Sequence, residues 1–148
     1  PIGFDIGAVF ANFYIALARA IALGRTDHQK FVKNLPNEFW NSFEKNFRAL
    51  WPTRVDKRVY SDELLEELIK QWKIDALGFA AAKLCRRIVG LAKTSDIETL
   101  EPAQREGAAR GVLRSAQLII RERHTNTDIA KISEKIEELM QSVKTGGN

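Results

Sequence analysis

A chain of 148 residues has room for one domain, and 45% hydrophobic with 28% charged residues describes a water-compatible globular protein. Its single cysteine, Cys85, excludes an intramolecular disulfide and any multi-cysteine zinc site. The net charge of +4 is mild. Without a stacking platform, an arginine-rich tail or zinc-finger spacing, it predicts no nucleic-acid partner and is compatible with small anionic ligands.

The sequence begins at Pro1 without an initiator methionine and soon enters an apolar run from Ile6 to Leu23, interrupted mainly by Asn12 and Arg19. Chain ends are usually polar and loosely held, so this opening predicts a fragment taken from the interior of a longer polypeptide. A run of about 18 apolar residues is near the lower limit for a membrane span. The polar interruptions and the lack of a basic flank predict instead a helix buried on all sides, with no membrane partner and no signal peptide.

Helices are predicted throughout, five to seven of them, with no strand alternation. Asp5 is placed to N-cap the first helix and Gly24 to end it. Thr26 or Asp27 opens a second region that Pro36 is expected to divide. From Asn37 to Leu50, the spacing of Phe39, Trp40, Phe43, Phe47 and Leu50 gives one apolar helical face, which Trp51-Pro52 ends. Ser61-Asp62-Glu63 supplies a cap and an acidic first turn. The helical pattern then runs from Leu64 to Ala92, with a bend expected near Gly78 and a stripe of Leu77, Ala81, Leu84, Ile88 and Leu91. A further helix begins near Pro102 and runs to about His124. A last one, capped by Asn126 or Thr127, carries Ile129, Ile132, Ile136, Leu139 and Val143. Residues 144–148 are expected to fray. The reading is one all-α domain over residues 1–148, without internal repeats.

The strongest chemical signal is a basic face opposite the long stripe. Lys83, Arg86, Arg87 and Gly90 share one side of a helix by their spacing. Adjacent guanidinium forks can grip phosphate or hydroxyl oxygens, and a glycine lets a ligand or loop approach. A solvated cationic face has the same spacing. Asp5 has two compatible roles, as a helix cap or as support for a neighbouring catalytic loop. His28 and His124 lack nearby Cys or Asp partners, Cys85 lies among Ala and Leu as a packed small hydrophobe, and Trp40, Trp51 and Trp72 fit a core. No glycine-rich phosphate loop, metal-ligand pair or nucleophile elbow is present. The expected catalytic and metal-binding sets are therefore empty.

Two segments carry a resemblance. Gly3-Phe4-Asp5-Ile6-Gly7-Ala8-Val9-Phe10-Ala11-Asn12 resembles the segment after the metal-binding loop of 5-methylthioribose kinases. Leu77-Gly78-Phe79-Ala80, with Lys83-Leu84-Cys85-Arg86-Arg87-Ile88-Val89-Gly90-Leu91-Ala92, resembles the helix bearing their paired arginines. Phe39-Trp40, Phe47 to Trp51, Asp96-Ile97-Glu98, and Ala109 with Leu113 agree, and the similarity runs from Pro1 to about Arg123.

The resemblance implies a bilobal, protein-kinase-like fold that transfers the ATP γ-phosphoryl to the 1-hydroxyl of methylthioribose, a cytoplasmic step of methionine salvage. The chain would be the helical end of the C-terminal lobe. Arg86 and Arg87 match the arginines that reach the sugar, and Asp5 matches the aspartate beneath the catalytic loop. The nucleotide-binding lobe, the catalytic aspartate and the magnesium-binding acidic motif lie in the part of the family absent here. ATP and magnesium are thus implied for a whole enzyme, while this chain alone is expected to bind no cofactor and to be inactive. Its expected partners are a methylthioribose-like acceptor, the missing N-terminal lobe, and a second copy meeting its apolar surface in an oligomer. Aminoglycoside, choline or homoserine kinases share the Asp5-type helix start and remain alternatives, as does a non-enzymatic helical interaction module.

Overall fold

A computed structural model describes residues 1–144. They form six α-helices and one 3-10 turn, with no strand among the described residues. The helices are α1 (Ile2–Ala22), α2 (Thr26–Leu50), α3 (Asp62–Val89), α4 (Ser95–Glu98), α5 (Pro102–Glu122) and α6 (Ile129–Ser142), and the 3-10 turn covers Trp51–Thr53. The all-α expectation is met.

The first helix is the centre of the fold. It packs against each of the other five helices, and Phe10, Ala11, Tyr14 and Leu17 are fully buried along it. Each such large side chain contributes on the order of 2 kcal/mol through apolar burial. By length and composition α1 is apolar enough to cross a membrane, and 56% of its apolar window is buried by the rest of the protein. Its apolar surface is therefore largely answered by other helices.

Small residues set the central crossing. A β-carbon on Gly3 would stand 2.6 Å from Asp75 Cβ, and one on Gly7 would stand 2.5 Å from the Ala76 carbonyl oxygen. The backbones of α1 and α3 thus meet where side chains are missing. Farther along, Tyr14 Oη and Ser133 Oγ share a hydrogen bond of 3.0 Å inside the core, tying α1 to α6. Burial pushes the Tyr14 phenol up to about 12, although the Ser133 contact opposes the shift. The Arg19 guanidinium donates to the Asp96 carbonyl at 2.7 Å and so fastens α4 to α1.

Several local expectations change. The N-cap of α1 is Pro1, and Asp5 lies inside the first turn, where its carboxylate suits the helix dipole without capping. The helix ends as expected, before Gly24 at φ 66°. Pro36 does not divide α2, which is helical from Thr26 to Leu50. Proline removes one backbone donor and strains a helix interior. Here packing on both sides of Pro36 holds the helix: Gln29 donates to Glu137 at 2.7 Å, Lys33 pairs with Glu137 at 3.1 Å, and Trp40 is buried.

The aromatic face of α2 also splits. Trp40, Phe43 and Phe47 join Trp72 of α3, with Phe47 and Trp72 edge-to-face at 5.0 Å. Phe39 turns instead toward Phe10 and Phe13, while Leu50 is 66% exposed. Burial alone would raise the Glu44 carboxyl beside this cluster. Hydrogen bonds from Arg48 and Trp40 and the charges of Lys73 and Arg48 outweigh it and hold the group below its ordinary value.

In α3 the Ser61 cap is present, its side chain accepting from Leu64 N–H at 3.2 Å. The helix passes Gly78 without interruption and stops at Val89. The expected stripe holds for Leu77, Ala81 and Leu84, is partial at Ile88, and ends before the fully exposed Leu91. Cys85 is exposed and not packed, because Leu84 takes the inward position beside it. The α5 bounds agree closely with expectation. The cap of α6 is Asp128, whose side chain accepts from Lys131 N–H; Asn126 in turn accepts from Asp128 N–H. Met140 is buried next to the half-buried Leu139, since α6 turns that edge inward. The expected frayed end lies, past Lys144, outside the described residues.

Candidate functional site

The basic face forms on the last two turns of α3. Lys83 lies one turn beyond the crossing with α1 and reaches back to it, donating to the Ala8 carbonyl at 3.2 Å. Burial, then the charges of Arg87 and Arg86, push the Lys83 ammonium below its ordinary value. The three cations therefore feel one another, as their spacing predicts.

The two arginines differ in what they can do. Arg87 is half-buried and donates through Nη1 to the Ala92 carbonyl at 3.2 Å, holding the turn that follows the helix. Arg86 is exposed, and its guanidinium makes no hydrogen bond or ion pair among the described residues. One fork is thus anchored and the other is open to an anion or a polyol.

Gly90 has a local explanation. Its N–H donates to the Arg86 carbonyl at 3.0 Å, and a β-carbon there would stand 2.5 Å from that oxygen. The missing side chain lets the backbone leave the helix, which accounts for Gly90 without a ligand. Beyond it, Lys93 Nζ donates to the Ile88 carbonyl, so cations close both sides of the turn.

Asp5 is exposed on the first turn of α1. The contacts of Gly3, Gly7 and Ala8 with successive positions of α3 show that the two helices run in the same sense. Asp5 is therefore level with about Leu77 and Gly78 of α3, and the arginine pair lies about 13 Å farther along that axis at 1.5 Å per residue. The structure does not bring Asp5 and the arginines into contact. Among the described residues no group of three or more His, Cys, Asp or Glu is placed to hold a metal ion.

Sequence reasoning passed over two features near this face. Lys73 sits over the Trp40 ring at 5.0 Å, fixing α2 to α3. Arg123, at the end of α5, reaches the surface of α3 at Gly78. Neither has a signature in local spacing, because each partner comes from a distant part of the chain.

No protein-family model matches the chain, and no solved structure matches it. Curated relatives do. The methylthioribose kinase of Geobacillus kaustophilus (strain HTA426) is 34% identical over 129 residues, covering 86% of this chain and 32% of the relative. Methylthioribose kinase 2 of Oryza sativa subsp. japonica is 32% identical over 150 residues, 89% of this chain and 35% of that one. The Bacillus pumilus (strain SAFR-032) methylthioribose kinase is 29% identical over 147 residues, 97% of this chain and 35% of its own length. The chain spans about a third of the length of these curated relatives. Over most of its length, then, it is a relative of the methylthioribose kinases and corresponds to about a third of such a sequence.

Proposed function

We propose that the chain is the acceptor-side helical part of a soluble, cytoplasmic methylthioribose kinase, with Arg86 contacting the sugar or the arriving phosphoryl group. The observation that carries this reading is the open guanidinium of Arg86 within a segment related to methylthioribose kinases. In phosphoryl transfer the protein chiefly positions the reactants and stabilises developing charge. An open planar fork beside a second, anchored one suits that task. Arg87 would act as a positioning residue, holding the Gly90–Ala92 turn against the helix end from which Arg86 projects. Asp5 would support a catalytic loop contributed by the rest of the kinase.

Among the described residues there is no acidic donor set for magnesium. ATP and magnesium would belong to the rest of the enzyme, and the chain by itself would not turn over. The relatives' designations favour methylthioribose over aminoglycoside, choline or homoserine acceptors.

The test is Arg86→Met in the whole kinase polypeptide that contains this segment. Acceptor KM should rise at least about tenfold, the loss of one charge-assisted hydrogen bond, while ATP KM stays unchanged. An unchanged acceptor KM would sink the assignment. Arg87→Lys should have the smaller effect, with the Ala92 contact partly restored.

A second reading rests on exposed apolar surface. Phe4 is 53% and Phe79 39% exposed, and their rings meet edge to face at 5.4 Å to form one apolar patch. Surfaces of this kind mark association sites, so the isolated chain would self-associate as a non-enzymatic helical module.

A further inference from the structure

Where α3 meets the end of α5, the surface dips into a shallow, open cavity of about 250 Å³ lined by Asp75, Gly78, Phe79, Ala82, Ile120 and Arg123. Its walls are two large apolar side chains, and its charged groups are one carboxylate and one guanidinium. The guanidinium is incompletely satisfied. Arg123 Nη1 donates to the Ile74 carbonyl at 3.4 Å, a long contact, while Nε is buried with no partner. A buried donor without an acceptor is rare enough in native proteins to need a reason, and it is the single such side-chain atom among the described residues.

Gly78 makes room for this group, since a β-carbon there would collide with Arg123 Nη1. Asp75 stands on the same cavity wall. Gln71 Nε2 donates to its Oδ1 at 2.8 Å, and Asp75 makes no ion pair with Arg123. Opposite charges thus line one small cavity without forming an ion pair with each other.

We infer that this cavity binds an apolar α-amino acid, its carboxylate on Arg123, its ammonium on Asp75 and its side chain between Phe79 and Ile120. A guanidinium recognises a planar carboxylate through its fork. A small pocket with apolar walls and a few convergent polar groups has the anatomy of a small-molecule site. Phe79 also stacks edge-on against Phe4 at 5.4 Å, one residue before Asp5. An occupant of the cavity therefore sits one aromatic ring from the start of α1. This inference is independent of the kinase reading, because the observable is binding to this chain.

The test is a calorimetric and amide-NMR titration of the purified chain with L-leucine, and with isocaproate and isoamylamine as its two singly charged halves. L-Leucine should bind with shifts at Gly78, Phe79 and Ile120, and each half should bind at least about tenfold more weakly, the loss of one charge-assisted hydrogen bond. Asp75→Asn and Arg123→Met should each weaken L-leucine by a similar factor. Arg123 also contacts Ile74, so Asp75→Asn, with circular dichroism as a control on helicity, keeps the test decisive if the arginine variant fails to fold. Absence of shifts at tens of millimolar L-leucine would overturn the inference. So would binding indifferent to both variants, or isocaproate binding as tightly as the amino acid.

Discussion

Tyr14 shows how a single polar atom can be committed to the core. Its hydroxyl is completely buried and answered by Ser133 across the bundle. Tyr14→Phe leaves Ser133 Oγ without that partner and should lower unfolding free energy by about 1–2 kcal/mol, measured by urea denaturation. The phenol also has a pH signature. Its folded value is raised to about 12 from 10.0. The unfolded phenol therefore releases its proton first, and the stabilisation is complete below about pH 10 and lost as pH rises toward about 12. Alkaline denaturation should be steeper in the native sequence than in Tyr14→Phe. Tyr14 lies in an apolar run where its burial is legible. Its partner, 119 residues away, is not.

The same limit appears at Cys85 and Arg123. Cys85 sits among Ala and Leu in the sequence, yet helix rotation turns Leu84 inward and leaves the thiol outside. Arg123 looks like one more surface cation until α5 is placed against Gly78. Arg86 and Arg87 were legible as a pair, because neighbouring helical positions need no tertiary information. Their division into an open fork and an anchored one depended on the path of the chain from Gly90 to Ala92.

Among the elements, caps were read well wherever the signal is local. Ser61 accepts from the third residue after it, a bond that depends only on the local backbone path. Ser61→Ala should cost about 1 kcal/mol, read as a lower thermal midpoint with little change in helix content. Pro36 misled because proline's local penalty is real, but the contacts of Gln29, Lys33 and Trp40 on either side outweigh it. Asp5 misled in a smaller way: the cap is Pro1, four residues earlier, so a residue suited to capping became a first-turn acid. Between elements, the α1–α3 crossing leaves no room for a side chain. A methyl group at Gly7 would meet the backbone of Ala76, which cannot rotate away. Gly7→Ala should therefore destabilise by about 1–3 kcal/mol, the range for overpacked sites, and equilibrium unfolding would show it.

For the molecule as a whole, α1 explains both cohesion and exposure. It touches every other helix, yet Ile2 and Phe4 at its start remain 37% and 53% exposed, with Phe79 beside them at 39%. The chain also spans only about a third of its curated relatives. In isolation it should self-associate, giving a light-scattering mass that grows with concentration. Phe4→Asp should shift that mass toward the monomer without loss of helicity. A concentration-independent monomer for the native sequence would remove the association reading.

Composition, helical periodicity and turn chemistry were enough to determine an all-α chain, the approximate span of its helices, the central apolar helix and the adjacent arginines. Each of these depends on residues within a few positions of one another. Tertiary structure decided which face of each helix is covered, that Pro36 is tolerated, that Asp5 and the arginine pair stand apart, and that Arg123 and Asp75 line one cavity. Those outcomes depend on helix rotation and on contacts between residues tens of positions apart. Packing, and no local preference, chooses among them.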